Sequence, residues 1–287
     1  MSDHGILMAL TGPPVCGKSW TIKSAAKWAE VQNKKIAVAC MPVAEADSYQ
    51  GLEAAGHDIK IFGDPDWNPF FDQTQAEGYM KMMRWLRSLE KASDVAVIGI
   101  DTMTGASELA EHACLSLANV TTIDAQDFGR GYTGTTDNMK HLMTQLRRLA
   151  YRFGKHIICG FHVEFKELEG AGDAVEVKDM ASGKDADNRS LTRLRWEKRI
   201  LPQLAGTNRY QGKIMGEFSL ILRNEIEQKG ANIQGFLRVQ PDETGLQRSR
   251  ITLHAPPGEK RPEKVWMQAI PNDFSVLMSM IRPEETK

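Results

Sequence analysis

Eight consecutive residues, Gly12-Pro13-Pro14-Val15-Cys16-Gly17-Lys18-Ser19, fit the pattern G-x-x-x-x-G-K-[ST] in full. The glycines let the backbone curl with its N–H groups pointing inward. Those donors, with the positive end of a following helix, form a cradle for an anion. Lys18 adds an ammonium that reaches the outer phosphates of a nucleoside triphosphate, and Ser19 adds a hydroxyl for Mg²⁺. An ordinary Gly/Pro turn requires neither Lys nor Ser at these offsets. Gly12 through Ser19, with Trp20 directly after them, are therefore the expected nucleotide-binding residues.

Three further positions could complete that chemistry. Asp101 closes the apolar run Val95-Ala96-Val97-Ile98-Gly99-Ile100. A carboxylate at the C-terminal end of a buried strand lies where ligands bind in open α/β sheets, so Asp101 is expected to hold Mg²⁺ with Ser19. His162 follows the apolar run 157–161 and could touch the γ-phosphate or its attacking water. The general base for that water is open between two loop acids, Glu45 and Asp64, each just past a short β-like run. Cys16 sits inside the loop, where a helix N-terminus could lower its pKa, but no His partner is evident. Cys159 and His162 have metal-like spacing without a second pair, so zinc is discounted.

These residues need elements to position them. The run 6–10 leads into the Gly/Pro loop and then a helical pattern, which reads strand, loop, helix. Residues 36–41 form a second β-like run stopped by Pro42, 49–55 a short helix ended by Gly56, and 59–62 another strand. Thr74 and Glu77 have capping-box spacing ahead of a helix. Met139, Leu142, Met143, Leu146 and Leu149 recur at helical period and predict a helix over 136–153. Two strands are expected at 218–222 and 236–239, and a terminal helix over 273–281. Strands alternating with helices imply an α/β class: a mostly parallel central sheet covered on both faces. The domain reading is a core over 1–240 and a C-terminal extension over 241–287, with a Pro-rich connector inside it.

Composition narrows the classes. The chain has 287 residues, 41% hydrophobic and 25% charged, close to a soluble globular average, so disorder as the main state is excluded. Lys+Arg (36) against Asp+Glu (37) excludes a chain-wide basic field, so any nucleic-acid binding must use a local patch. No apolar run approaches the ~20 residues of a membrane helix. The absence of a basic leader and the four scattered cysteines suit the cytoplasm and free thiols. Residues 164–187 carry eight Asp/Glu against three Lys; 188–213 reverse the sign with seven Lys/Arg against Glu197.

Taken together, the Gly12–Ser19 loop, the strand ending in Asp101, the strand ending in His162 and the Gly-containing stretch 204–223 resemble the RecA-like P-loop ATPase core. Within that superfamily the chain looks like the small phage nucleotide-binding and single-strand-annealing ATPases, over roughly residues 5–240. The resemblance implies ATP and Mg²⁺ as cofactors, with His162 as the nucleotide-sensing residue. It places the first DNA-binding loop with its flanking helix at 104–135 and the second loop at 164–199, and implies single-stranded DNA as partner, a ring or filament of copies, and a single-strand-binding protein as a further partner. In the second loop the cations are Arg189, Arg193, Arg195, Lys198 and Arg199. On a helix, Arg195 and Arg199 would be neighbours, with Trp196 beside them for base stacking. Arg209 and Arg223 are candidates for an arginine supplied in trans. The acidic first half of that segment departs from the pattern, because it would repel phosphate. So does the strand ending near Met41, which has no acidic residue immediately at its end.

The leading expectation is an ATPase that binds single-stranded DNA in recombination, annealing or repair. A P-loop kinase of a small molecule or nucleotide shares the same loop, and 188–213 could then be its lid. A non-hydrolysing, nucleotide-gated loader is the third reading.

Overall fold

The computed structural model describes residues 4–41, 43–63, 74–118, 130–169, 196–205, 213–229, 232–239, 248–255, 258–260, 263, 267 and 270–281. Ten strands form the sheet: β1 (Leu7–Gly12), β2 (Lys35–Cys40), β3 (Asp58–Ile61), β4 (Val95–Asp101), β5 (His156–Glu169), β6 (Trp196–Pro202), β7 (Leu220–Lys229), β8 (Asn232–Arg238), β9 (Arg248–Ser249) and β10 (Ile270–Pro271). Its main order is β10-β8-β7-β1-β5-β4-β2-β3, with β6 on β5 and β9 on β7. The stretch β7-β1-β5-β4-β2-β3 is parallel throughout. The pairs β7–β8, β8–β10, β7–β9 and β5–β6 are antiparallel. The mostly parallel α/β sheet expected from the alternation of patterns is therefore what forms.

The helices are α1 (Lys18–Val31), α2 (Thr74–Ser88), α3 (Met103–Ala118), α4 (Arg130–Phe153) and α5 (Phe274–Ile281). Side chains alternate across a strand, so β1 feeds two cores. Leu7 and Ala9 join the cluster that includes Met82, Leu109 and Leu146 from α2, α3 and α4. Met8 and Leu10 join the cluster that includes Ile22 of α1 and Leu277 of α5. Each such Leu, Ile or Met side chain, fully buried, contributes about 1.5–3 kcal/mol. A Cβ on Gly99 would lie 2.5 Å from Ile22 Cγ2, so that glycine lets α1 settle against β4. The phosphate loop is thereby fixed above two neighbouring strand ends, those of β4 and β5.

Three sequence expectations need correction. Residues 49–55 are not a helix: a 3-10 helix covers Val43–Tyr49 and turns follow it. Gly51 stands at φ 86°, a left-handed conformation that a right-handed helix cannot hold. The helix expected from Thr136 begins at Arg130. A Cβ on Gly134 would lie 2.4 Å from Cys114 Sγ, so close packing on α3 stabilises the early turns. Third, Trp196–Pro202 is a strand rather than a helix. It runs antiparallel to the far end of β5, with Lys198 opposite Glu167 and Arg199 opposite Lys166. Pairing with β5 satisfies the backbone there. The helical arrangement, with Arg195 and Arg199 as neighbours and Trp196 beside them, therefore does not hold for Trp196 and Arg199, and Arg195 lies outside the described residues.

Candidate nucleotide site

The loop after β1 turns back on itself through two left-handed residues, Val15 (φ 64°) and Gly17 (φ 91°), and α1 begins at Lys18. Gly17 closes the first helical turn by accepting a hydrogen bond from the Thr21 N–H at 3.2 Å. Lys18 is 4% exposed. Its Nζ donates to the Pro13 carbonyl at 2.7 Å and the Gly12 carbonyl at 3.1 Å, and lies 3.6 Å from Cys16 Sγ. No carboxylate is among these partners, so an incoming anion would compete only with neutral acceptors. The loop opens on a cavity of about 450 Å³ lined by Lys18, Ser19, Trp20, Lys23, Glu45 and His162, among others.

Asp101 closes β4 and is fully buried. Its Oδ2 accepts a hydrogen bond from the Tyr49 hydroxyl at 2.7 Å, while its Oδ1 is buried with no hydrogen-bond partner among the described residues. Burial raises the carboxyl pKa above the ordinary Asp value; the nearby Ser19 hydroxyl, the Tyr49 hydrogen bond and the charge of Lys18 oppose the rise, and Glu45 adds to it. A buried carboxylate oxygen without a partner is costly, and a cation is one way to satisfy it. Gly160 of β5 leaves room beside that oxygen: a Cβ there would lie 3.1 Å from it. Oxygen donors of this kind, hydroxyl and carboxylate, suit Mg²⁺. Asp101 and Ser19 therefore fit the expected ion.

Glu45 reaches the site from the 3-10 helix after β2. Its Oε2 accepts from Ser19 Oγ at 3.3 Å, and its Oε1 lies 4.0 Å from His162 Nε2. His162 is level with Gly12 in the β1–β5 register. Its backbone N–H donates to Thr104 Oγ1 at 3.2 Å. Burial, then the positive charge of Lys18, lowers the imidazole pKa against the opposing pull of Asp101. The ring is accordingly neutral at neutral pH and can donate or accept a single hydrogen bond through each nitrogen. The structure thus brings Lys18, Ser19, Glu45 and His162 to one cavity, while Asp101 is fully buried and does not line it.

No family model matches this sequence, and no curated protein matches it. Similar chains occur among solved structures. The flagellar accessory protein FlaH from Methanocaldococcus jannaschii is 12% identical, at a TM-score of 0.40, over 86% of this chain and 80% of its own. The KaiC-like protein PH0186 from Pyrococcus horikoshii OT3 is 13% identical, at 0.40, over 82% and 79%. The RadB recombinase is 14% identical, at 0.37, over 84% and 90%.

The remaining expected residues are placed differently. Asp64, Arg189, Arg193, Arg195 and Arg209 lie outside the described residues. Trp196, Lys198 and Arg199 are on β6. Arg223, on β7, has its Nε 3.3 Å from Glu225 Oε1 on the same strand. The Cys16 thiol has its pKa raised by burial, which outweighs the opposing charge and hydrogen bond of Lys18, so the lowering expected from the helix N-terminus does not prevail. Cys159 is fully buried with its pKa raised by burial, and no group of three metal-ligating side chains exists among the described residues. No helix among them is long and apolar enough to cross a membrane.

Sequence reasoning missed several contributors. Tyr49 was read as part of a short helix, yet its hydroxyl orients Asp101. Lys23, one helical turn from Ser19, lines the cavity; that spacing on α1 was the available signal. Behind the loop, Asn272 Nδ2 donates to the Gly17 carbonyl at 3.0 Å and Asn272 also pairs with Thr21 Oγ1, which accepts from Asn224 Nδ2 at 3.0 Å. Asn272 follows β10 and is 255 residues from Gly17. No sequence signal announces it.

Proposed function

We propose that this chain is a Mg²⁺-dependent, RecA-like P-loop ATPase that binds single-stranded DNA in recombination, annealing or repair. The observation that carries the ATPase reading is the buried Lys18 ammonium lining an open cavity, together with the buried, unpartnered Asp101 Oδ1 at the end of β4.

In this reading, the loop N–H groups and Lys18 bind and orient the triphosphate, and Lys18 Nζ exchanges its carbonyl partners for phosphate oxygens. Ser19 and Asp101 would hold Mg²⁺, which would supply positive charge next to the phosphate oxygens. Tyr49 keeps Asp101 turned so that one oxygen remains available. Glu45 accepts the proton of the attacking water, and neutral His162 orients that water or the outer phosphate. DNA binding rests on the cation-rich stretch 188–213 and on the family resemblance, which also supports an assembly of several copies and a single-strand-binding protein as partner. The reading belongs to the phage-type annealing ATPases named above.

The test is phosphate release from ATP and GTP, each with and without single-stranded DNA and Mg²⁺. Wild type releases phosphate from ATP only with Mg²⁺, faster when DNA is present, and Lys18→Ala loses that release. Equal turnover in Lys18→Ala refutes the mechanism. Transfer to an added acceptor in place of free phosphate identifies a kinase, and tight binding without turnover identifies a loader. Lack of affinity for single strands at low salt removes the DNA role.

A further inference from the structure

A second cavity, of about 360 Å³, lies between α2 and α4. These helices pack on the sheet face opposite α1, and none of the residues lining this cavity lines the nucleotide cavity. Its apolar part comes from Tyr79, Met80 and Met83. Tyr79 and Met83 are buried, whereas Met80 is 55% exposed and so open to a partner. Its polar part includes Arg84, Arg87 and Arg148, with His141 beside them. Arg148 pairs with Glu90 at 3.0 Å. Arg84 and Arg87 are exposed and have no ion-pair partner among the described residues.

The charge around this cavity is concentrated. Helices α2 and α4 together carry eight Lys/Arg against only Glu77 and Asp137, in a chain whose formal net charge is −1. A positive rim around an apolar floor complements a ligand with acidic groups flanking an apolar one. Nucleic acid offers phosphates but also bases, which bind by stacking on open aromatic faces. The aromatics here do not offer them. Tyr79 is 4% exposed, with its hydroxyl donating to the Asn138 carbonyl at 2.6 Å. Trp85 donates through Nε1 to Asp58 Oδ2 at 2.8 Å and its ring packs at 5.5 Å from Phe62. Methionines instead suit an apolar peptide side chain, because an unbranched thioether adapts to its partner.

We propose that the α2–α4 cavity is a docking site for an acidic peptide segment of a partner protein, with one apolar side chain seated on Met80 and Met83 and carboxylates on Arg84, Arg87 and Arg148. The proposal does not depend on nucleotide hydrolysis.

The test is fluorescence anisotropy of the full chain with a labelled synthetic peptide of about ten residues, mostly Asp and Glu around one Phe and one Leu. Binding is expected to be saturable and to weaken as salt rises from about 0.05 M to about 0.3 M. The double variant R84E/R87E is expected to weaken it about tenfold or more, while its thermal melt matches wild type. R152E, on α4 but not lining the cavity, is expected to leave binding within about twofold. An all-Asp/Glu peptide of equal charge is expected to bind several-fold more weakly. The proposal is overturned if the peptide fails to bind, if R152E weakens it as much as R84E/R87E, or if the apolar residues make no difference. Displacement of the peptide by an equimolar oligo-dT strand overturns it in favour of a nucleic-acid surface.

Discussion

Replacing Asp101 by Asn is expected to make the resting protein more stable while impairing its response to Mg²⁺-nucleotide. Asp101 is fully buried, and burial raises its carboxyl pKa in the folded state. In the unfolded chain it ionises in the ordinary Asp range, near about 3.9. As pH rises through that value towards the raised folded value, the unfolded state sheds its proton first and is stabilised relative to the folded state. The stability contributed by Asp101 is therefore largest at acid pH, falls across that interval, and is flat above it. Asn does not titrate and retains an acceptor for the Tyr49 hydroxyl. It replaces an ionised oxygen without a partner by a neutral amide, a difference of about 1–3 kcal/mol. For a chain of this size each kcal/mol moves the melting temperature by about 2–4 °C. Melting curves of wild type and D101N, taken upward from about pH 4, are expected to diverge as pH rises from the ordinary Asp range and then to run parallel, the variant being higher. Mg²⁺-ATP at about 100 times its Kd would add about 2.7 kcal/mol to wild type and markedly less to D101N. A variant that is less stable throughout, or a difference that stays constant with pH, would refute the reasoning.

Other consequences follow from the same geometry. Tyr49→Phe removes the donor to Asp101 Oδ2 and is expected to cost about 1–3 kcal/mol in denaturant midpoints, with a larger loss at neutral than at acid pH. Asn272→Ala is expected to cost about 1–2 kcal/mol and weaken nucleotide binding measured by calorimetry, because its amide spans the Gly17 carbonyl and Thr21. Gly160→Ala places a methyl 3.1 Å from Asp101 Oδ1 and is expected to raise the Mg²⁺ needed for nucleotide binding about tenfold with the fold intact by circular dichroism. Cys16, 5% exposed and with its thiol pKa raised, is expected to react slowly with iodoacetamide at neutral pH, faster as pH rises, and more slowly still with nucleotide bound.

The phosphate loop, the strand before it, the helix after it and the parallel character of the sheet are all legible in the residues alone. Each of these is set within a short window: two glycines, a Lys and a Ser at fixed offsets, and apolar runs whose burial on both faces follows from their composition. The sequence also named Asp101, because a carboxylate at the end of such a run has few other places to go. Tertiary structure decided what meets it. Tyr49 bonds Asp101 across 52 residues, and Asn272 bonds Gly17 across 255. Neither residue has a local pattern to mark it, since a hydrogen bond between distant segments leaves no periodicity in the chain. The strand at Trp196–Pro202 shows the reverse case: its basic residues allow either a helix or a strand, and the free edge of β5 selected the strand. Local windows fix the groups that depend on backbone curvature and burial, while the partners that orient those groups are fixed only when distant strands and helices pack.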